Sequence, residues 1–269
     1  MDLYAAVDIL GGAAVRLTRG DFDLRRDYGD PVELAERFAA AGAPWLHVVD
    51  LDGAKTGRST NRPVVERIAA AVDVPVQSGG GVRTADDIEA LHAAGVARVV
   101  LGTTAAEDPV ATRSMVAAFA GRVALGLDYR RGNDGRLEVA SRGWVEASGR
   151  TVTDLLTELA DAGLAAVVAT AIDRDGTLGG PDIPGLAAVL TATGLPVIAS
   201  GGVASADDVC DLAALRVPVT SAGWSDADGS NEGRGTVEPR RLLGVIAGRA
   251  LVDGRLSVSE GVAACAPCG

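Results

Sequence analysis

Two carboxylates and two glycine turns could carry chemistry in this chain, and the two pairs share nearly one spacing. Asp8 closes the apolar run Tyr4–Asp8, and Asp128 closes RVALGLD 120 residues later; a long loop follows each. Opposed carboxylates in unlike surroundings can have their pKa values pushed apart, so that one serves as base and the other as acid. The stretch PVQSGGGVRTADD at 75–87 returns as PVIASGGVASADD at 196–208, displaced by 121 residues. In each copy a β-branched run ends in glycines and leads to a Thr or Ser with an acid three residues on, which reads as strand, tight turn and capped helix start. Glycines let backbone N–H groups approach a ligand, and the helix N-terminus behind them adds unpaired donors, so phosphate is the natural guest. Two copies predict two phosphates.

These groups need strands that end in acids or glycines and helices that return the chain. The first half reads as strand then helix, four times. Tyr4–Asp8 is followed by a long polar loop with a short VRL strand inside it, then by a helix from Pro31 to about Gly42. WLHVVDLDGAKTG delivers Asp50 and Asp52, Asn61 and Pro63 open a second helix, the first glycine unit follows, and ARVVLG leads to a helix started by Asp108 and Pro109. The second half repeats the order with RVALGLDYR, a loop through SRGW, a helix from about Thr151, AAVVATAID with its loop RDGTLGGPD, the second glycine unit, and LLGVIAGRAL with a closing helix near Ser257. Eight such units predict an α/β fold, a closed parallel (β/α)8 TIM barrel with internal half-barrel duplication, the halves covering about 1–121 and 122–269. A polar insertion at about 217–241, containing SDADGSNEGRG, precedes the last strand and reads as flexible.

Such barrels place reactive groups at the carboxyl ends of their strands, which selects Asp8, Asp50, Asp52, Asp128, Thr170, Asp173 and Asp175. Some of these acids are expected to cap helices instead, where Asp is common. His47, inside an apolar strand, and His92, inside a helix, read as structural or solvent-facing. There is no His cluster and no H-E-x-x-H, no G-x-S-x-G elbow and no G-x-G-x-x-G opening the first helix, so no metal or other cofactor is expected.

Composition narrows the classes further. Hydrophobic residues make up 48% of 269, enough for one large core, while aromatics are 3%, so that core must be built from Ala, Val, Leu and Ile. A net charge of −11 draws in neither nucleic acid nor an anionic membrane, and no apolar run is long enough to span one. The start MDLYAAVDIL lacks a signal-peptide pattern, so a cytoplasmic monomer acting on a small molecule is expected. Three cysteines are too few for a disulfide framework, and the C-terminal CAPC reads as incidental.

In order, AAVDILGGAAVRLTRGDF, WLHVVDLDGAKTG, QSGGGVR, GLDYR, SRGW, DRDGTLGGP, IASGGV and GVIAGRAL resemble the motifs of the HisA family, the phosphoribosylformimino-aminoimidazole carboxamide ribotide isomerases of histidine biosynthesis. The resemblance covers nearly the whole chain. It implies an Amadori rearrangement of a bisphosphorylated aminoaldose, with Asp8 as general base at the sugar C2 and Asp128 as general acid opening the furanose ring. It implies a second polar pair, Thr170 and Asp175, with Asp175 placed to share the acid role. One phosphate would be held by Gly80, Gly81 and the Gly102-Thr103 turn, and the other by Gly201, Gly202, Gly248 and Arg249. Arg16 and the pair Arg142 and Trp144 match loop contacts to the far end of the substrate, and Arg83 and Gly176 fall within the binding motifs.

Three departures stand out. Ala171 follows Thr170 where the family usually has an acid, which would remove a charge beside the carboxylates; Arg249 replaces a lysine; and the insertion before the last strand is long. A dual-substrate branch of the family, found in actinobacteria, also isomerises phosphoribosyl anthranilate, and GTLGGP and RGW resemble that branch. A non-catalytic barrel that binds a phosphometabolite is the alternative of another class.

Overall fold

The computed structural model describes residues 1–18, 20–141, 146–219 and 238–266. Among them, eight parallel strands close on themselves: β1 (Asp2–Leu10), β2 (Trp45–Asp50), β3 (Val76–Gly79), β4 (Arg98–Leu101), β5 (Val123–Arg131), β6 (Ala166–Ala171), β7 (Val197–Ser200) and β8 (Gly244–Ala247). Each pairs with the next, and β8 pairs with β1. Helices return the chain along the outside, giving the (β/α)8 TIM barrel.

The period-2 alternation of strands sorts the side chains. From β1, Leu3, Ala5, Val7 and Ile9 join the outer core beneath the helices. Tyr4 and Ala6 turn inward, where they meet Ala124, Ala166, Val168, Ile198 and Ile246. The interior is filled by small and branched residues, as the scarcity of aromatics requires. Tyr4 stacks on Trp45 there, with ring centroids 5.3 Å apart. The same parity carries Asp8, Asp128 and Thr170 inward at the carboxyl ends of β1, β5 and β6.

Helix starts follow their cap residues. Asp30 accepts from the Val32 N–H at the head of Pro31–Ala40, Asp108 from Ala111 ahead of Pro109–Ala118, Thr151 from Asp154 ahead of Val152–Glu158, and Ser257 from Glu260 ahead of Val258–Ala264. The stretch after β1 differs from expectation. It is an antiparallel hairpin of Ala13–Thr18 and Asp21–Gly29, not a loop with one short strand. The stretch after β5 likewise carries two strands, Leu137–Ser141 and Glu146–Thr151.

Most of the polar insertion, residues 220–237, lies outside the described residues. Its flanks are pinned together by an antiparallel bridge between Val217 and Arg240, whose backbone groups exchange bonds of 3.1 and 2.8 Å. Cys265 is buried and free, Cys210 is disulfide-bonded, and the end of CAPC lies outside the described residues. Among the described residues no helix is long and apolar enough to cross a membrane.

Candidate active site

Asp8 ends the inward row of β1, and the hairpin strand Ala13–Thr18 folds back antiparallel on β1 to bring Arg16 against it. The Arg16 guanidinium forms an ion pair with the Asp8 carboxylate and donates to the Ala6 carbonyl. It also lies against Gly248, where an added Cβ would meet its Cζ at 3.0 Å. Arg16 is thus buried in the wall beside the candidate base, and a glycine at 248 leaves room for it.

Asp128 and Thr170 are direct neighbours across the β5–β6 register. Asp175 reaches the same region from the loop after β6. Gly176, with φ +64°, lets that loop press on the hairpin so closely that an added Cβ would lie 2.5 Å from the Leu17 carbonyl oxygen. Burial pushes the Asp175 carboxyl up to about 7; the Asp8 charge adds to the shift, Arg16 opposes it, and Asp128 adds to it. Asp8, Asp128, Thr170, Asp175 and Arg16 are therefore brought together at one end of the barrel. A neutral acid and an ionised carboxylate can coexist there near neutral pH.

Asp50 and Asp52 serve the scaffold. The buried Asp50 carboxylate accepts from Gly53 N at 2.8 Å, Ser59 Oγ at 2.9 Å, Asn61 N at 3.1 Å and Asn61 Nδ2 at 2.7 Å. Asp52 accepts from Gly11 N at 2.6 Å and Asn61 Nδ2 at 2.8 Å. Asn61 makes no side-chain cap bond for the helix it precedes, Arg62–Ala71: its NH2 donates to these acids and its Oδ1 accepts from Gly12 N at 3.1 Å. Asp173 is exposed.

Ala171 corrects an expectation. Adjacent strand residues face opposite ways, so with Thr170 inward Ala171 points out into the outer core, away from the acids. It lines a cleft of about 510 Å³ between the ends of β5 and β6 and the loop after β6, together with Tyr129, Arg131, Asp173, Arg174 and Asp182. The missing acid at 171 therefore removes no charge from the inward-facing cluster.

The glycine turns are held by close backbone contact. An added Cβ on Gly81 would meet Gly53 Cα at 2.8 Å, and one on Gly201 would meet the Ala171 carbonyl at 2.8 Å; Gly80 and Gly202 abut the Asp50 and Gly180 carbonyls. The helix starts behind these turns are already filled. Thr84 and Asp87 form a reciprocal capping box at one, and Ser205 and Asp208 form the same box at the other. Asp87 is half-buried, which raises its pKa, but the N–H groups of Arg83 and Thr84 and the Thr84 hydroxyl hold it below the usual range. An anion is therefore poorly served at those two helix ends. The starts at Gly102, before Thr103–Glu107, and at Gly248, before Arg249–Val252, carry no side-chain cap. They follow β4 and β8, the strands that neighbour the glycine-bearing β3 and β7.

The remaining expected contacts are spread out. Arg83 is exposed, with its guanidinium packed over Gly57. Arg249 donates to the Gly176 carbonyl at 2.5 Å and to Asp253 at 3.2 Å. Arg142 and Trp144 lie outside the described residues. His47, read from sequence as structural or solvent-facing, stands on the inward face of β2 opposite Ala6. Among the described residues no three His, Cys, Asp or Glu side chains gather to hold a metal ion.

A closed parallel barrel with acids gathered where the strands end is the arrangement of a (β/α)8-barrel enzyme. The chain belongs to the histidine biosynthesis protein family, whose model matches residues 2–223. It is similar over nearly its full length to proteins named 1-(5-phosphoribosyl)-5-((5-phosphoribosylamino)methylideneamino)imidazole-4-carboxamide isomerase. Identity is 44% with that of Dinoroseobacter shibae, covering 98% of each chain. It is 43% with that of a Jannaschia species, covering 99% of this chain and 100% of the relative, and 41% with that of a Picosynechococcus species, covering 99% and 94%.

Proposed function

We propose that the protein is an intramolecular aldose-ketose isomerase of histidine biosynthesis, acting on the bisphosphorylated imidazole carboxamide aminoaldose for which its relatives are named. The observation that carries the reading is the meeting of Asp8, Asp128 and Asp175, three carboxylates of which one keeps its proton up to about pH 7. Asp128, sharing the role with Asp175, gives a proton to the furanose ring oxygen as the C1–O bond breaks, leaving an iminium at C1. Asp8 takes the C2 proton, and the electron pair moves into the C1–C2 bond while the iminium π electrons return to nitrogen. Reprotonation at C1 and loss of the proton from the C2 hydroxyl give the aminoketose. Thr170 stands beside Asp128 to hold a substrate hydroxyl.

The two phosphates fix the sugar between the acids, so binding energy remote from C1 and C2 orients them. One is assigned to Gly80, Gly81, Gly102 and Thr103, with Arg83 nearby, and the other to Gly201, Gly202, Gly248 and Arg249, with Gly176 nearby. The uncapped helix starts at Gly102 and Gly248 support this assignment. Arg142 and Trp144 are kept as contacts to the substrate. The reading includes two half-barrels, about 1–121 and 122–269, in one cytoplasmic monomer that needs no cofactor.

Steady-state turnover of the purified protein on the histidine-pathway aminoaldose and on phosphoribosyl anthranilate tests the reading. Turnover of the first alone is expected. Turnover of both would move the protein to the dual-substrate branch, and turnover of neither by folded protein would overturn the isomerase reading.

A further inference from the structure

A neutral imidazole donates from only one nitrogen, so the tautomer of His47 decides what it offers to anything above it. Gln77, on β3, is fully buried, and its Nε2 lies 3.0 Å from His47 Nδ1. Its Oε1 lies 3.1 Å from Nη1 of Arg98 on β4. Arg98 also donates to the Tyr4 hydroxyl at 3.2 Å, and its guanidinium lies 4.6 Å over the Trp45 ring. A guanidinium can only donate, so the amide oxygen must face Arg98 and the amide NH2 must face His47. The NH2 group can only donate in turn, so Nδ1 must accept and the imidazole proton must be on Nε2.

Burial lowers the His47 pKa to about 4, against the raising influence of Asp8 and with Arg16 adding to the fall, so the ring is neutral at pH 7. Among the described residues the ring's hydrogen bond is the one at Nδ1, and the residue is half-buried, not sealed, which leaves Nε2 for a ligand. We infer that Arg98 and Gln77 are positioning residues that lock His47 as the neutral Nε2–H tautomer and so present one fixed N–H donor to the sugar oxygens of the substrate. The inference rests on the isomerase reading. Such a donor can stabilise the oxygen on C2 as the enol forms without surrendering a proton and without bringing a cation that competes for Asp8.

The chain has two histidines, which makes the lock readable by 15N-edited NMR of the imidazoles at pH 7 without substrate. His92 Nδ1 lies 2.8 Å from the Val96 carbonyl, so His92 must carry its proton on Nδ1 and serves as the opposite standard. The expected spectrum shows one ring of each tautomer, with His92→Gln assigning the Nε2–H ring to His47. In Gln77→Glu the carboxylate can only accept, so the proton moves to Nδ1, and kcat on the aminoaldose falls about tenfold or more. Arg98→Met lets the amide turn over and is expected to give both tautomers at His47, which keeps the test open if Gln77→Glu does not fold.

A wild-type His47 found as Nδ1–H or as a cation would overturn the lock. So would Gln77→Glu with a shifted tautomer and unchanged kcat and KM, which is the result a merely structural triad would give. No turnover by the wild type would overturn the isomerase reading and the donor role with it, whereas the tautomer spectrum alone decides the lock.

Discussion

Thr84 with Asp87 closes the start of the helix after β3, and 121 residues later Ser205 with Asp208 closes the helix after β7 with the same reciprocal bonds. The glycines before them match as well: Gly80 packs on the Asp50 carbonyl, and Gly201 packs on the Ala171 carbonyl, at equivalent places. The side chains there do not match. Asp50 gathers four hydrogen bonds that stitch the segment after β2, whereas Ala171 is an apolar wall residue. At the inward position next to each, the first four units have Val49 and the last four have Thr170. The acid that holds its proton near neutrality, Asp175, also belongs to the last four units. Backbone contacts and caps maintain the shared skeleton, which leaves the strand-end side chains free to differ. The first four units contribute Asp8, the proposed base, and a stitched loop; the last four contribute Asp128 and Asp175, the proposed acids.

The division can be broken in order of size. Asp8→Asn and Asp128→Asn, one from each side, are each expected to lower kcat by about 10²–10⁴-fold while substrate affinity stays within a few-fold, measured by turnover and by calorimetric binding. An effect confined to one of them would place the chemistry on one side of the barrel. Asp50→Ala leaves Gly53, Ser59 and Asn61 donors unpaired in a buried site and is expected to cost about 3 kcal/mol in urea denaturation. The corresponding place on the other side already holds alanine without such donors around it, so stitching by an acid is particular to the first side. Thr84→Ala and Ser205→Ala should each cost about 1 kcal/mol, and equally, if the caps are shared scaffold.

Much of the skeleton was legible because strand ends and helix starts carry their own chemistry. Asp30-Pro31, Asp108-Pro109, Thr151 and Ser257 mark helices that begin where those residues stand. The strand Asp21–Gly29 was not legible, since it is exposed on both faces and held by pairing instead of burial, so it shows no alternation of apolar residues. The hairpin it completes is what turns Arg16 back onto Asp8. Parity along β6 was a usable signal for Ala171, because Thr170 and its neighbour cannot both face inward. The same parity along β2 was an unused signal that His47 faces inward, but the donor role proposed for it depends on Gln77 and Arg98 from two further strands. Asp175 lies in a loop, and its place among the acids depends on the contact of Gly176 with Leu17.

The pH dependence of kcat/KM for the wild type and for Asp175→Asn tests most directly whether the last four units supply the titrating acid. With the Asp175 carboxyl pushed up to about 7, its proton is present below that pH and lost above it, so the wild-type rate should fall as pH rises through about 7. Asp175→Asn should be slower and should lack that inflection. The same inflection in the variant as in the wild type would contradict the assignment.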